Sequence, residues 1–235
     1  MRIWHISDTH GYHGRLKIPK NIDIVIHSGD ATNFKDPYRN ESEMRDFITW
    51  FDYLNIPNKV LVAGNHDSSI EKRLVHPEDI KNLGIKYLYM ETVEICGMKI
   101  WGSPYVPRYG DWSFMKPRSE MMKKVWDFMD DDADIVVTHT PPMGILDMTS
   151  SRIFNESINS YINVVESVGC RSLNKKIRSV EPRLHCFGHI HGSKEIHNSG
   201  TRTVHDLKTI FSNGACCQDR SKDRLKGNGN IIELD

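Results

Sequence analysis

The chain has 235 residues, 38% hydrophobic and 26% charged, with 31 basic side chains against 31 acidic ones. That is enough apolar material for one sizeable core, so a single domain over residues 1–235 is expected, burying about 70% of its unfolded-chain surface without disulfide staples. The zero net charge excludes a partner chosen by bulk electrostatics, and no run approaches the roughly 18 apolar residues of a membrane span, so neither a membrane nor a nucleic acid is indicated as a partner.

The five cysteines, Cys96, Cys170, Cys186, Cys216 and Cys217, are odd in number and lack a CxxC spacing. That argues against a disulfide framework or a thiolate zinc site. Reduced thiols and the absence of a signal-peptide pattern make the cytoplasm the expected location.

In chain order, Arg2–Ile6 and Asp23–Ile26 are β-branched apolar runs that each end in a polar cluster, the pattern of a buried strand leading into a loop. Asn40 and Glu43 resemble a capping box opening a helix whose Met44, Phe47, Ile48, Phe51 and Leu54 fall on one face, with Pro57 as the stop. Strands follow at Val60–Ala63, then at Lys86–Met90 and Glu94–Trp101, a pair broken at Glu91-Thr92. Two prolines and a glycine rule out regular structure through the aromatic-rich segment Ser103–Phe114. Ser119 precedes a second helix carrying Met122, Val125, Trp126 and Met129, and Asp134–Val137 is a strand. Ile158, Tyr161, Ile162 and Val165 predict a third helix, followed by strands at Leu184–Phe187 and Thr209–Phe211. The mixed-charge run Asp219–Lys226 reads as solvated surface. Strands outnumber helices and several connections are too short for a crossover, so mixed sheets with helices outside are expected.

Five segments begin where strands end: Asp8-Thr9-His10, Gly29-Asp30, Gly64-Asn65-His66-Asp67, Thr138-His139-Thr140-Pro141-Pro142 and Gly188-His189-Ile190-His191. Each supplies nitrogen or oxygen metal ligands, and residues two apart in extended chain project to the same side, so Asp8 with His10 and His189 with His191 can reach one small volume. In open α/β sheets the ligand crevice lies beyond the carboxyl ends of the strands, where all five segments fall. Any one piece is common by chance, but five at successive strand ends point to a metal centre. The lone histidines His5, His27 and His185 sit in or beside strands and read as core. His13 reads as solvated, though near enough to the first loop to support it.

The order DxH, GD, GNHD, H, GHxH resembles the signature of calcineurin-like metallophosphoesterases over nearly the whole chain. The flanking Val62-Ala63-Gly64-Asn65-His66-Asp67, Gly102-Ser103-Pro104, Asp111-Trp112 and Val168-Gly169-Cys170 are similar to the branch of the mammalian metallophosphoesterase-domain proteins. The resemblance implies a four-layer sandwich of two mixed β-sheets flanked by helices. It also implies two divalent cations, one on Asp8, His10, Asp30 and His191 and the other on Asp30, Asn65, His139 and His189, with Asp30 bridging. Histidine, carboxylate and amide ligands without thiolate favour manganese, iron, zinc or cobalt over an all-oxygen magnesium or calcium cage without choosing among the four; manganese is the first expectation.

Such a pair would bind phosphoryl oxygens and hydrolyse a phosphodiester or phosphomonoester with a metal-bound hydroxide, and the resemblance implies a phosphodiester first, cyclic nucleotides included. The expected partner is therefore a small phosphorylated or nucleotide substrate. A phosphoprotein phosphatase and a scaffold with little turnover are the alternatives, the second disfavoured because every ligand is present. His66 is expected to face the substrate as a proton or hydrogen-bond donor, with Asp67 orienting its imidazole or capping a helix. Arg108 and Tyr109, between Pro107 and Gly110, are expected to hold substrate, the arginine by forking onto a phosphate and the tyrosine by stacking on a base. The stretch from Ser150 to Ser167 is longer than the resembled branch suggests, which bears on substrate access.

Overall fold

Strand β1, Arg2–Ile6, sends Ile3 into one hydrophobic cluster and Trp4 and Ile6 into another, all three fully buried. A strand apolar on both faces lies inside a layered structure, because successive side chains project to opposite sides. In the computed structural model of the chain, which describes residues 1–193, 195–218 and 224–235, β1 is the second strand of a five-stranded sheet. Beside it run β2 (Ile24–His27), β3 (Asn58–Leu61) and β4 (Lys86–Tyr87) in parallel, with β15 (Asn230–Glu233) antiparallel on the other edge.

The second sheet has six strands in the order β13 (Gly200–Val204), β14 (Leu207–Asn213), β12 (Leu184–Phe187), β9 (Ile135–Thr138), β6 (Met98–Ser103) and β5 (Glu91–Ile95). Its four central strands are parallel and its two edges antiparallel. The sheets face each other through Ile3, Ile24, Ile26 and Val60 on one side and Ile100, Ile135, Val137 and Leu184 on the other. Outside the first sheet, helix α1 (Pro37–Tyr53) lays Met44, Phe47, Ile48 and Phe51 on Val25 and Leu61. Each such side chain, fully buried, contributes about 1.5–3 kcal/mol relative to exposure. Outside the second, α4 (Glu120–Asp127) and α5 (Arg171–Val180) cover Trp101, Val136, Phe187 and Phe211. Helix, sheet, sheet and helix thus make the expected four layers, with three cores between them.

Shorter elements are α2 (Ser68–Glu71), α3 (Pro77–Asn82), and the two-residue strands β7 (Val106–Pro107) and β8 (Met115–Lys116), which pair in parallel within the segment expected to be irregular. No helix among the described residues is long and apolar enough to cross a membrane. Of the run at 219–226, only residues 224–226 fall within the described part.

Four expectations need correction. The third helix is instead the antiparallel hairpin β10 (Met148–Asn155) and β11 (Ser160–Ser167), turning at Asn159 in the left-handed region with φ 47°. Its apolar residues match a helical spacing, but four of the eight residues of β11 are β-branched or aromatic, which favours a pleated ribbon. The break placed at Glu91-Thr92 lies at Cys96-Gly97, both with positive φ, between β5 and β6. Helix α1 starts three residues before Asn40: Asp36 is its N-cap, accepting from the Arg39 amide, and Pro37 fills the first turn, where its missing N–H costs nothing. His13 is buried, packed on Phe47 and Trp50 and 3.2 Å from Asp46.

Candidate metal centre

The parallel strands of both sheets point their carboxyl ends at one edge of the sandwich, and each motif segment leaves from there: Asp8 and His10 after β1, Asp30 after β2, Asn65 beyond β3, His139 after β9, His189 and His191 after β12. Asp8, His10, Asp30 and His189 all adopt left-handed backbone, with φ of 52°, 43°, 57° and 68°. Non-glycine residues take that conformation rarely, and Asp tolerates it better than most. The reversals turn side chains that would otherwise lie along the strands towards a common point.

Glycines make the approach possible. A Cβ on Gly29, whose φ is 109°, would sit 2.4 Å from His139 Nδ1, and one on Gly64 would sit 2.3 Å from Asp30 Oδ1. Only a hydrogen fits at either place, so these glycines set how closely the loops of the two sheets can meet.

Three overlapping sets of ligand atoms result, Asp8 with His10 and His191, His10 with Asp30 and His66, and Asp30 with His139 and His189, the atoms of each set within 4.8 Å of one another. His139 donates Nδ1–H to the Ser28 carbonyl at 2.8 Å, which aims Nε2 at Asn65 Oδ1, 3.1 Å away, and Asp30 Oδ2, 3.2 Å away. His10 likewise donates Nδ1–H to the Thr32 carbonyl at 2.9 Å, and its Nε2 meets His191 Nε2 at 3.2 Å. A carbonyl can only accept, so in each neutral ring Nε2 is a lone pair directed at other lone pairs. That arrangement is unfavourable unless a proton or a cation sits between them, and backbone partners fixing the tautomer are the usual support of a metal-binding histidine. Nitrogen and oxygen donors of this kind fit a first-row divalent cation.

The titration of the groups agrees. Burial pushes His10 down to about 4 and His189 to about 3, leaving both neutral and able to ligate. Burial acts in the same direction on His139, but the adjoining Asp30 and Asp8 carboxylates more than offset it and raise it to about 9. Asp30 is held well below the usual carboxylate range: burial opposes its ionisation, and the His139 and His66 rings win. Without a cation His139 therefore keeps its proton and meets the Asp30 carboxylate as a buried ion pair.

All seven sequence-derived ligands converge, but the surrounding residues differ from expectation. Asp67 does not hold the His66 imidazole. Its Oδ2 accepts from the Asp30 and Gly64 amides at 3.0 and 2.7 Å, and its Oδ1 from the Thr32 amide and hydroxyl at 3.1 and 2.8 Å. It makes no side-chain cap on α2 either. Its work is to brace the loops carrying Asp30 and Asn65, together with buried Asn40, whose amide reaches Thr32 Oγ1, the Phe34 carbonyl and the His66 carbonyl at 2.7, 2.8 and 2.7 Å. Glu43, read as the partner in a capping box, accepts instead from the Asn33 and Phe34 amides.

His66 donates Nδ1–H to the Asn33 carbonyl at 3.3 Å and lies under Trp112, ring centres 4.3 Å apart. It also comes within ligand reach of His10 and Asp30, so it borders the metal centre as well as the cleft in front of it. That cleft, about 370 Å³, is lined by His66, Asn65, Tyr109, Arg118, Thr149 and His189 among others. Tyr109 accepts from Asn65 Nδ2 at 3.0 Å, which turns the Asn65 oxygen towards His139. Arg108 is exposed and does not line the cleft. Arg118, which sequence reasoning missed, does, with its guanidinium donating to the Gly169 and Val168 carbonyls at 3.1 and 2.8 Å.

Over residues 1–193 the sequence matches the calcineurin-like phosphoesterase family. It is 30% identical over 221 residues to human metallophosphoesterase domain-containing protein 1, an alignment covering 84% of this chain and 63% of the human protein. A UPF0046 protein of Caenorhabditis elegans is 29% identical over 231 residues, 92% of this chain and 70% of its own length. Probable rhamnogalacturonate lyase C of Emericella nidulans is 30% identical over 204 residues, 82% of this chain but 17% of that protein. The chain thus spans less than two thirds of the human and mouse relatives it matches. The family match runs from β1 through the histidines after β12 and so includes every loop that converges on the site: the chain belongs to the calcineurin-like phosphoesterase family.

Proposed function

We propose that the chain is a phosphoesterase dependent on two divalent cations, manganese by preference, and that it hydrolyses a phosphodiester in preference to a phosphomonoester. The observation that carries this reading is the convergence of imidazole lone pairs and carboxylates, tautomers fixed by backbone carbonyls, at one end of an open cleft. Asp8, His10, Asp30 and His191 would hold one ion, and Asp30, Asn65, His139 and His189 the other. When bound, such ions supply Lewis acidity towards phosphoryl oxygens and water, and against only two carboxylates they leave the centre cationic.

The chain's own residues do the rest. Tyr109 fixes the Asn65 amide so that its oxygen, not its NH₂, faces the centre. The Asn33 carbonyl fixes the His66 tautomer, so the remaining ring nitrogen is free to take up a proton and pass it to the leaving oxygen. Trp112 covers one face of that ring and keeps water from it. Arg118 is anchored by two carbonyls, which leaves three of its five N–H groups for a phosphate oxygen or a second substituent. The role expected of Arg108 therefore passes to Arg118.

The test is metal-stripped protein reconstituted with manganese, iron, zinc or cobalt and offered aryl diesters, aryl monoesters, cyclic nucleotides and a phosphopeptide. Metal-dependent turnover with diesters ahead is the expected result. Asp30→Ala should lose turnover and more metal than any other single ligand change, and an active Asp30→Ala protein with its full metal complement would overturn the two-ion reading.

A further inference from the structure

Beyond the metal cleft lies a larger cavity, about 690 Å³, between α4 and α5. Pro107 and Arg118 line both spaces, so the two adjoin across the Arg118 guanidinium, which the Gly169 and Val168 carbonyls hold in place. Its size lies within the range of small-molecule sites, about 300–1,000 Å³. One wall is apolar, formed by Met122, Met143 and Trp126, the indole N–H of Trp126 donating to Ser172 Oγ at 3.2 Å.

The charge around the cavity departs from that of the chain. Overall the protein is neutral, yet five basic side chains line this space against two acidic ones. Lys176 is neutralised by Asp131 at 2.6 Å, and Lys123 lies 4.0 Å from Glu120. Arg171 and Lys175 form no ion pair among the described residues and are exposed to whatever enters. A local excess of unpaired cations beside an apolar wall suits a ligand with an apolar body and its own negative charge.

Resting on the phosphoesterase reading above, we propose that this cavity is the subsite for the second substituent of a phosphodiester substrate, and that the substituent is bulky and carries an anionic group such as a further phosphate. The scissile phosphate lies in the metal cleft, Arg118 bridges the two spaces, and Arg171 and Lys175 meet the distal charge.

The experiment uses the full metal-loaded chain and two chromogenic diesters: bis-para-nitrophenyl phosphate, with no distal charge, and a para-nitrophenyl diester of a phosphorylated nucleoside. The quantity read is the ratio of kcat/KM for the charged over the uncharged diester. Arg171→Glu with Lys175→Glu should lower that ratio by about tenfold or more, chiefly through KM, as expected when charge-assisted contacts turn repulsive. Lys175→Ala alone should lower it by about threefold, a fraction of one such contact. Lys86→Glu, exposed on the edge strand of the other sheet, should leave it unchanged. Turnover of the uncharged diester with the ratio unmoved in both cavity variants overturns the subsite and spares the phosphoesterase reading. Failure of the wild type to hydrolyse either diester with any metal overturns both.

Discussion

Replacing Asp67 by asparagine separates a loop-bracing role from the orienting role suggested by its place after His66. Its two oxygens accept four hydrogen bonds, from the Asp30 and Gly64 amides on one side and the Thr32 amide and hydroxyl on the other. Asparagine can offer an oxygen to only one pair. The cheaper choice keeps the oxygen on Asp30 and Gly64 and turns NH₂ towards Thr32, whose hydroxyl can swing to the His66 carbonyl, already 3.0 Å away. One buried donor, the Thr32 amide, is then left facing another donor, at about 1–3 kcal/mol. For a chain of this size that corresponds to a melting temperature lower by roughly 2–12 °C. Metal content should fall with it, since Asp30 and Asn65 sit on the loosened loops. Thermal melting and elemental analysis on one preparation measure both. A variant with wild-type melting and full metal but depressed kcat would show that Asp67 acts through the imidazole, and the bracing argument would be wrong.

His66→Gln should keep its metals while kcat falls by about 10²–10⁴, the range for a lost general acid; loss of an ion on elemental analysis would make His66 a ligand instead. Gly64→Ala places a methyl 2.3 Å from Asp30 Oδ1 and 2.4 Å from the Asp30 amide, backbone that cannot retreat, so destabilisation of at least about 1–3 kcal/mol with reduced metal content is expected on denaturant titration. Metal affinity should depend on pH with a definite sign. His139 is raised to about 9, so below that pH the metal-free protein carries a proton that binding must expel, and affinity should rise by about tenfold per pH unit before levelling near pH 9. Titration calorimetry in buffers of different ionisation enthalpy counts that proton, and zero release at neutral pH would contradict the argument.

The strands were legible because burial on both faces leaves near-continuous apolar runs: β1 and β12 match their sequence limits, while β2, β3 and β9 are shifted by a residue or two, the usual uncertainty at element ends. Helix α5 was missed because only Leu173 and Ile177 are buried, too few to mark a periodicity. The edge strands β13 and β15 are largely solvated and carry no apolar alternation strong enough to stand out. The seven candidate ligands were legible from their order and spacing. Their supports were not, since a hydrogen bond from Asn65 to Tyr109 or from Arg118 to Gly169 spans more than forty residues. Asn40 did leave a trace: it opens the stripe continued by Met44, Phe47, Ile48 and Phe51, and a polar residue there implied a buried partner.

The left-handed backbone at Asp8, His10, Asp30 and His189 has an energetic side. The sheets impose those reversals, and residues held there carry a conformational strain of order 1–3 kcal/mol each. Asparagine and glycine tolerate the same angles with less strain, so a mutation that destroys a ligand can relax the chain that held it. At Asp8 and Asp30 that relief is opposed by the hydrogen bonds their carboxylates accept from the His189 and His66 amides. Four of the seven candidate ligands are thus held at a conformational cost that a bound cation would offset.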